Sequence, residues 1–185
     1  MQIKDSVAVL TGAGSGIGRA LAVALARSGC HLALVDLNPD SLAETATQAR
    51  ALGARVSEHP TDVSDRSAVA ALPSAVVAEH GSVDLLINNA GVALGGTFDQ
   101  VSEENFDWLM SINFDAVVTL CRAFLPLLRQ RPEARIVNIS SLFGLITPAG
   151  QTAYCASKFA VRGFSNALRL ELTNTNVGVT VVHPG

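Results

Sequence analysis

Val7-Ala8-Val9-Leu10 runs straight into Thr11-Gly12-Ala13-Gly14-Ser15-Gly16-Ile17-Gly18, after which Ala20, Leu21, Val23, Ala24 and Leu25 recur in a helical rhythm. A short apolar run, a glycine loop and an amphipathic helix in direct succession predict strand, turn and helix. Glycines permit positive φ and let a ligand come close to the backbone. The helix start beyond them offers unpaired N–H groups and the positive end of the helix dipole, an arrangement suited to a pyrophosphate. The same glycines could serve only a tight turn, so the rest of the chain has to supply the context.

Apolar runs near 7–10, 31–35, 54–58, 83–88, 135–140 and 177–182 alternate with helical patterns near 17–28, 40–52, 65–80, 102–130 and 152–173. Strands that alternate with helices, and that are apolar throughout rather than at every second residue, predict a parallel sheet covered on both faces. The expected architecture is α/β, a three-layer αβα Rossmann-like doubly wound sheet, with its ligand crevice beyond the carboxyl ends of the strands. At 185 residues and 49% hydrophobic content, the chain suits one sizeable core and a single domain over 1–185.

The second run, His31-Leu32-Ala33-Leu34-Val35, ends at Asp36, 24 residues beyond Gly12. An acid at that place accepts hydrogen bonds from ribose hydroxyls and repels a 2′-phosphate. Neither Ser15 nor Leu37 offers a cation to offset the repulsion, so NAD(H) is expected in preference to NADP(H). A turn or helix-capping acid before Asn38-Pro39-Asp40 is the alternative role.

Tyr154-Cys155-Ala156-Ser157-Lys158 places a phenol and an ammonium one helical turn apart, with Ser141 upstream. Side chains at i and i+4 share a helix face. At about 4 Å and an effective dielectric near 20, an ammonium favours the phenolate by on the order of 4 kcal/mol, an upper-end figure. A phenol so assisted suits general acid-base work at a carbonyl. Cys155 adjoins Tyr154, but consecutive helical residues diverge by about 100°, which argues against a thiol nucleophile.

The glycine loop, Asp62-Val63, Asn88-Asn89-Ala90-Gly91, Asn113, Ser140-Ser141, Tyr154-x-x-x-Lys158 and His183-Pro184-Gly185 occur in the order seen in short-chain dehydrogenases/reductases, which the chain resembles over essentially its whole length. The resemblance implies hydride exchange between nicotinamide and a secondary alcohol or ketone. Ser141, thirteen residues before Tyr154, would orient the substrate, and Tyr154 would exchange the proton. Lys158 would assist Tyr154 and bind the nicotinamide ribose. Asn113 would kink its helix and hold a water that completes a Ser-Tyr-Lys-Asn proton relay.

The cofactor-binding set so implied is Gly12, Gly14, Ser15, Gly16, Ile17, Gly18, Asp36, Asp62, Val63, Asn89, Ala90, Gly91, Tyr154, Lys158, Pro184 and Gly185. Asp62 would contact the adenine edge, although it could instead cap a helix beginning near Asp65. Asn88 is expected to be structural. Ser140 is expected to bond backbone or to sit beside the cofactor.

A net charge of −3 with scattered basic residues, Arg129, Arg131 and Arg135 forming the one small group, gives no footprint for nucleic acid. Cys30, Cys121 and Cys155 lack metal-ligand spacing, no cluster suggests a metal, and no leader precedes the first strand, a pattern that fits a reducing cytoplasm. No uninterrupted apolar run reaches the roughly 18 residues of a membrane helix.

The resemblance further implies a homodimer or homotetramer through the long helices around 104–128 and 154–172. Phe159, Val161, Phe164, Leu168 and Leu172 would suit that interface or their own sheet. Related proteins continue for several dozen residues beyond the sixth strand, with a nicotinamide-contacting threonine, a substrate lid and a seventh strand. The chain is therefore expected to be a truncated member. The alternative is a catalytically incomplete protein of this fold that binds a dinucleotide or assembles with partners and turns over nothing.

Overall fold

The computed structural model describes all residues, Met1–Gly185. Strands β1 (Val7–Thr11), β2 (His31–Asp36), β3 (Val56–Pro60), β4 (Leu85–Asn88), β5 (Ala134–Ile139) and β6 (Val177–Val182) form one sheet in the order β3-β2-β1-β4-β5-β6. Every pairing is parallel. The chain builds outward from β1 to β3, then returns to the other side of β1 with β4. The topological switch point thus lies between β1 and β4, where an open α/β sheet leaves its crevice.

Register explains the two cores. Val9 lies opposite Ala33 and Leu86, Leu86 opposite Ile136, and Ile136 opposite Val179, so one row of side chains crosses the sheet on one face. That row packs beneath α3 (Arg66–His80), α5 (Ala116–Leu128) and α6 (Thr152–Glu171) in the larger of two hydrophobic clusters. Leu120, Phe124 and Leu128 of α5 are fully enclosed, each contributing roughly 1.5–3 kcal/mol relative to exposure. On the opposite face, Ala8, Leu10, Leu32 and Leu34 pack under α1 (Gly16–Arg27) and α2 (Pro39–Arg50).

The second face is closed only in part. Over β5 and β6 no helix covers it, and Val137, Ile139 and Val182 line an apolar groove of about 460 Å³ together with Leu21, Leu25 and the N-terminal Met1 and Ile3. β6 pairs with β5 alone and is a sheet edge. The other edge is β3, displaced two residues from the expected 54–58 because Ala54 and Arg55 form an irregular lead-in after the turn at 51–53, with Arg55 N donating to His31 Nδ1 at 3.1 Å. Polar Glu58 and His59, then Pro60, suit an edge strand that must not recruit another.

The expected helix over 102–130 is α4 (Glu103–Met110) and α5 joined by a wide π-helical turn at Ser111–Asp115. By length and composition this helix could cross a membrane, as could the core helix of many soluble proteins, and here its apolar side packs on the sheet. Of the residues expected to suit an interface between copies, Val161 and Leu172 prove to be core residues under their own sheet, since α6 turns them inward. Phe159 stays exposed, and Phe164 and Leu168 are partly covered. All three cysteines are free and buried: Cys30 under α1, Cys121 under α5, and Cys155 in the first turn of α6.

Candidate active site at the carboxyl ends of the strands

The glycine loop needs its glycines for separate reasons. Gly12 and Gly16 hold φ of +64° and +49°, a left-handed backbone that other residues resist. A Cβ on Gly18 would lie 1.9 Å from the Gly12 carbonyl oxygen, so only glycine lets α1 approach the loop. Around Gly16 a Cβ would meet nothing within 4 Å, which leaves open space beside the start of α1. Ser15, the N-cap of α1, makes no side-chain cap bond, and the first turn carries no acid. The N–H groups there remain available to an anion.

Three side chains brace this loop. Thr11 Oγ1 accepts from Asn89 N at 3.0 Å and Ala90 N at 3.1 Å, while Asn89 Nδ2 donates to the carbonyls of Thr11 and Gly12 at 2.9 and 3.1 Å. From behind, Arg19 donates to the Gly14 carbonyl through Nε at 3.1 Å and through its terminal nitrogen at 2.6 Å, and pairs with Glu44 at 2.8 Å. Thr11 and Arg19 were not singled out from sequence. Thr11 stands immediately before Gly12 at the strand end, a usable signal, whereas nothing in a sequence says that Arg19 folds back.

Asp36 lines the cleft and takes the turn role considered for it. Its Oδ2 accepts from Gly14 N at 2.8 Å and its Oδ1 from Asn38 N at 3.0 Å, while α2 itself is capped by Asn38. Asp62 does not cap a helix; Asp65 caps α3, and Asp62 instead accepts from the Ser64 N–H and hydroxyl at 2.9 and 2.7 Å. Val63, beside it, is buried in the larger core. Asn88 joins Asn138 at 2.8 Å and Asn138 joins Ser165 at 2.9 Å, a tie between β4, β5 and α6 that matches its structural role.

At the other end of the cleft, Lys158 is 4% exposed, with its Nζ donating to the Ile139 carbonyl at 3.2 Å and standing 5.6 Å from the centre of the Tyr154 ring. No acid is paired with it, and burial lowers its pKa to about 8. Phe143 meets the Tyr154 ring edge-on at 6.1 Å. Ser140 donates to the Lys158 carbonyl at 2.9 Å, which anchors the end of β5 to α6.

Asn113 sits in the π turn, 1% exposed. Its Oδ1 accepts from Val92 N at 2.8 Å, and its Nδ2 donates to the Val92 carbonyl at 2.9 Å and to Ser157 Oγ at 3.2 Å. Ser157 Oγ in turn donates to the Tyr154 carbonyl at 2.8 Å. A Cβ on Gly91 would come within 3.2 Å of Asn113 Oδ1 and 3.4 Å of Lys158 Nζ, so the small residue lets these groups converge. Ser157 is a further residue sequence reasoning missed.

One cleft of about 570 Å³ is lined by Ser141 and by every cofactor-binding candidate except Gly14, which lies behind Gly12 against Asp36; Asn113 supports the wall from outside. An uncapped helix start with open space at one end and a buried cation with hydroxyls at the other fit a dinucleotide. This is the arrangement of a nicotinamide-nucleotide oxidoreductase with a Rossmann-like sheet.

The model of the short chain dehydrogenase family matches residues 6–185, and the chain belongs to the short-chain dehydrogenase/reductase family. It is 50% identical over 184 residues to SadH of Mycobacterium tuberculosis, covering 98% of this chain and 67% of that protein. A short-chain dehydrogenase/reductase from Burkholderia phymatum, crystallised with NAD, superposes with a TM-score of 0.96 at 39% identity, over 100% of this chain and 66% of that one. A metagenomic short-chain oxidoreductase bound to NADP gives 0.94 at 35% identity, over 100% and 84%. The chain thus spans about two thirds of the first two relatives' length.

Proposed function

We propose that this chain is an NAD(H)-preferring oxidoreductase that interconverts a secondary alcohol and a ketone. The observation that carries the proposal is the convergence of Ser141, Tyr154 and the buried Lys158 on one wall of a cleft whose far end is an uncapped helix start. Bound there, a nicotinamide nucleotide would accept or supply the hydride. The glycine loop would hold its pyrophosphate, Asp36 its adenosine ribose, and Asp62 and Val63 the adenine side. Asn89, Ala90, Gly91, Pro184 and Gly185 would line the path to the reactive end.

In this reading Ser141 donates a hydrogen bond to the substrate oxygen and Tyr154 moves the proton at that oxygen. Lys158 favours the phenolate of Tyr154 and binds the second ribose. Charge that develops on the substrate oxygen is met by hydroxyls already in place. Asn113 holds the Val92 turn against α6 and so fixes the backbone of Tyr154 through Ser157, within the Ser-Tyr-Lys-Asn relay. The NAD(H) preference rests on Asp36, because Arg19, the nearest cation to the loop, is already held by Glu44 and backbone carbonyls.

The substrate is a small-molecule alcohol or ketone, and the apolar residues Leu142, Phe143, Leu145 and Ile146 that follow Ser141 suit an uncharged one. We further assign residues 1–185 to a single domain, the assembly to a homodimer or homotetramer through the outer faces of α4, α5 and α6, and the location to the cytoplasm, on three free buried thiols. NADH fluorescence titration run beside turnover of a ketone panel tests the reading. Binding with turnover supports it. Binding without turnover would leave a dinucleotide-binding protein, and no binding would overturn both.

A further inference from the structure

We infer that His183 is a positioning residue that sets the backbone of Ser141. This rests on the reading of Ser141 as the hydroxyl that orients the substrate. His183 Nδ1 lies 3.0 Å from the Ser141 carbonyl oxygen. That oxygen also accepts from Gly144 N at 2.9 Å, and Ser141 Oγ accepts from Phe143 N at 3.1 Å. On either side, Ser140 N donates to the Val182 carbonyl and Leu142 N to the Pro184 carbonyl, both at 2.8 Å. The peptide of Ser141 is therefore clipped into the tail of β6, and His183 is the one side chain in that clip.

The chemistry of the contact fixes the state of the ring. A carbonyl oxygen only accepts, so Nδ1 must carry hydrogen, and the neutral ring is the Nδ1–H tautomer. Ser141 begins a short 3₁₀ turn, Leu142–Gly144, that is held to α6 by Ser140 and by the close approach of Gly144 to the Lys158 carbonyl. Its free rotation is thereby restricted on the α6 side. On the β6 side, the imidazole adds a side-chain restraint to the two backbone bonds from Ser140 and Leu142. His183 thus joins Pro184 and Gly185, on the wall of the cleft, to the carbonyl group of the serine that faces the substrate. A shift of about 1 Å at such a serine is enough to reduce turnover well beyond tenfold.

Stereochemistry gives a discriminating test. The amide nitrogen of asparagine is as many bonds from Cα as Nδ1 is, whereas that of glutamine matches Nε2. His183→Asn restores the donor; His183→Gln and His183→Leu do not. At pH 8.5, where an ordinary imidazole is neutral, ¹⁵N NMR of the wild-type protein should show hydrogen on Nδ1 of His183. Amide exchange at Leu142 and Gly144 should stay slow in His183→Asn and quicken in His183→Leu. Turnover should remain within about twofold of wild type in His183→Asn and fall about tenfold in the other two, with NADH affinity kept throughout. An Nε2–H tautomer, or asparagine and leucine variants that behave alike in exchange, would overturn the inference. Should the wild type bind NADH and turn nothing over, the functional reading fails alone, because tautomer and exchange still decide the role of His183.

Discussion

At one end of the cleft Asp36 shares its two oxygens between the Gly14 and Asn38 amides; at the other, Lys158 is enclosed with a single carbonyl partner and no acid. The first end is assembled from backbone and short polar contacts that any solvent-exposed turn could hold. The second keeps a charge where water would otherwise solvate it, which lowers the Lys158 pKa to about 8. Perturbed titration gathers at working sites. Under the proposed function, affinity falls to the Asp36 end and chemistry to the Lys158 end, and the second should be far more sensitive to single changes.

The sharpest way to break this division is Tyr154→Phe. Turnover should fall at least about 10²-fold, the lower range for loss of a general acid-base group, with NADH affinity within about twofold. Near-normal turnover would remove Tyr154 from the chemistry. Next in size, Asn113→Ala leaves the Val92 N–H and carbonyl and the Ser157 hydroxyl short of partners in a buried site. Loss of about 2 kcal/mol in urea unfolding is expected, given roughly 1–3 kcal/mol for an orphaned buried group. Asp62→Ala, exposed at the other end, should change stability by less than about 0.5 kcal/mol.

A pH profile sharpens the comparison further. Lys158 is charged below its lowered pKa, so kcat/KM for ketone reduction should be full at lower pH and decline as pH rises through about 8, reaching about tenfold below the plateau one unit beyond that midpoint. In Lys158→Arg, whose guanidinium keeps its charge, that limb should vanish even if the plateau is lower. A smaller change than in the pH profile is expected at Asp36. Asp36→Ala should raise kcat/KM with NADPH relative to NADH by about fivefold, on the scale of one partly exposed charge contact. An unchanged ratio would move cofactor choice elsewhere.

The fold was largely readable because six apolar runs alternating with helical periods leave few arrangements, and the glycine loop and Tyr154/Lys158 fall at strand ends or on a helix whatever the details. Local periodicity says which residues are apolar but not what they meet. Val161 and Leu172 therefore could have faced a partner or the sheet, and tertiary packing turned them inward. The resemblance places an irregularity in the helix at Asn113, where the π turn Ser111–Asp115 lies, but the bond from Asn113 to Ser157 joins residues 44 positions apart, which no short spacing encodes. The open groove over β5 and β6 was equally hidden, because both faces of those strands read as apolar.

The three enclosed thiols give the protein internal reporters of its own breathing. Burial pushes the Cys121 thiol up to about 12 and raises those of Cys30 and Cys155, so none supplies thiolate to a probe while the fold stays shut. Each occupies a different region, and amide exchange in other proteins shows that regions open separately. Labelling followed by peptide mass mapping should find Cys155, in the first turn of α6 beside the cleft, modified before Cys121, which waits for the larger core to open. A bound nucleotide that tightens the cleft would then slow labelling of Cys155 while leaving Cys30 unchanged.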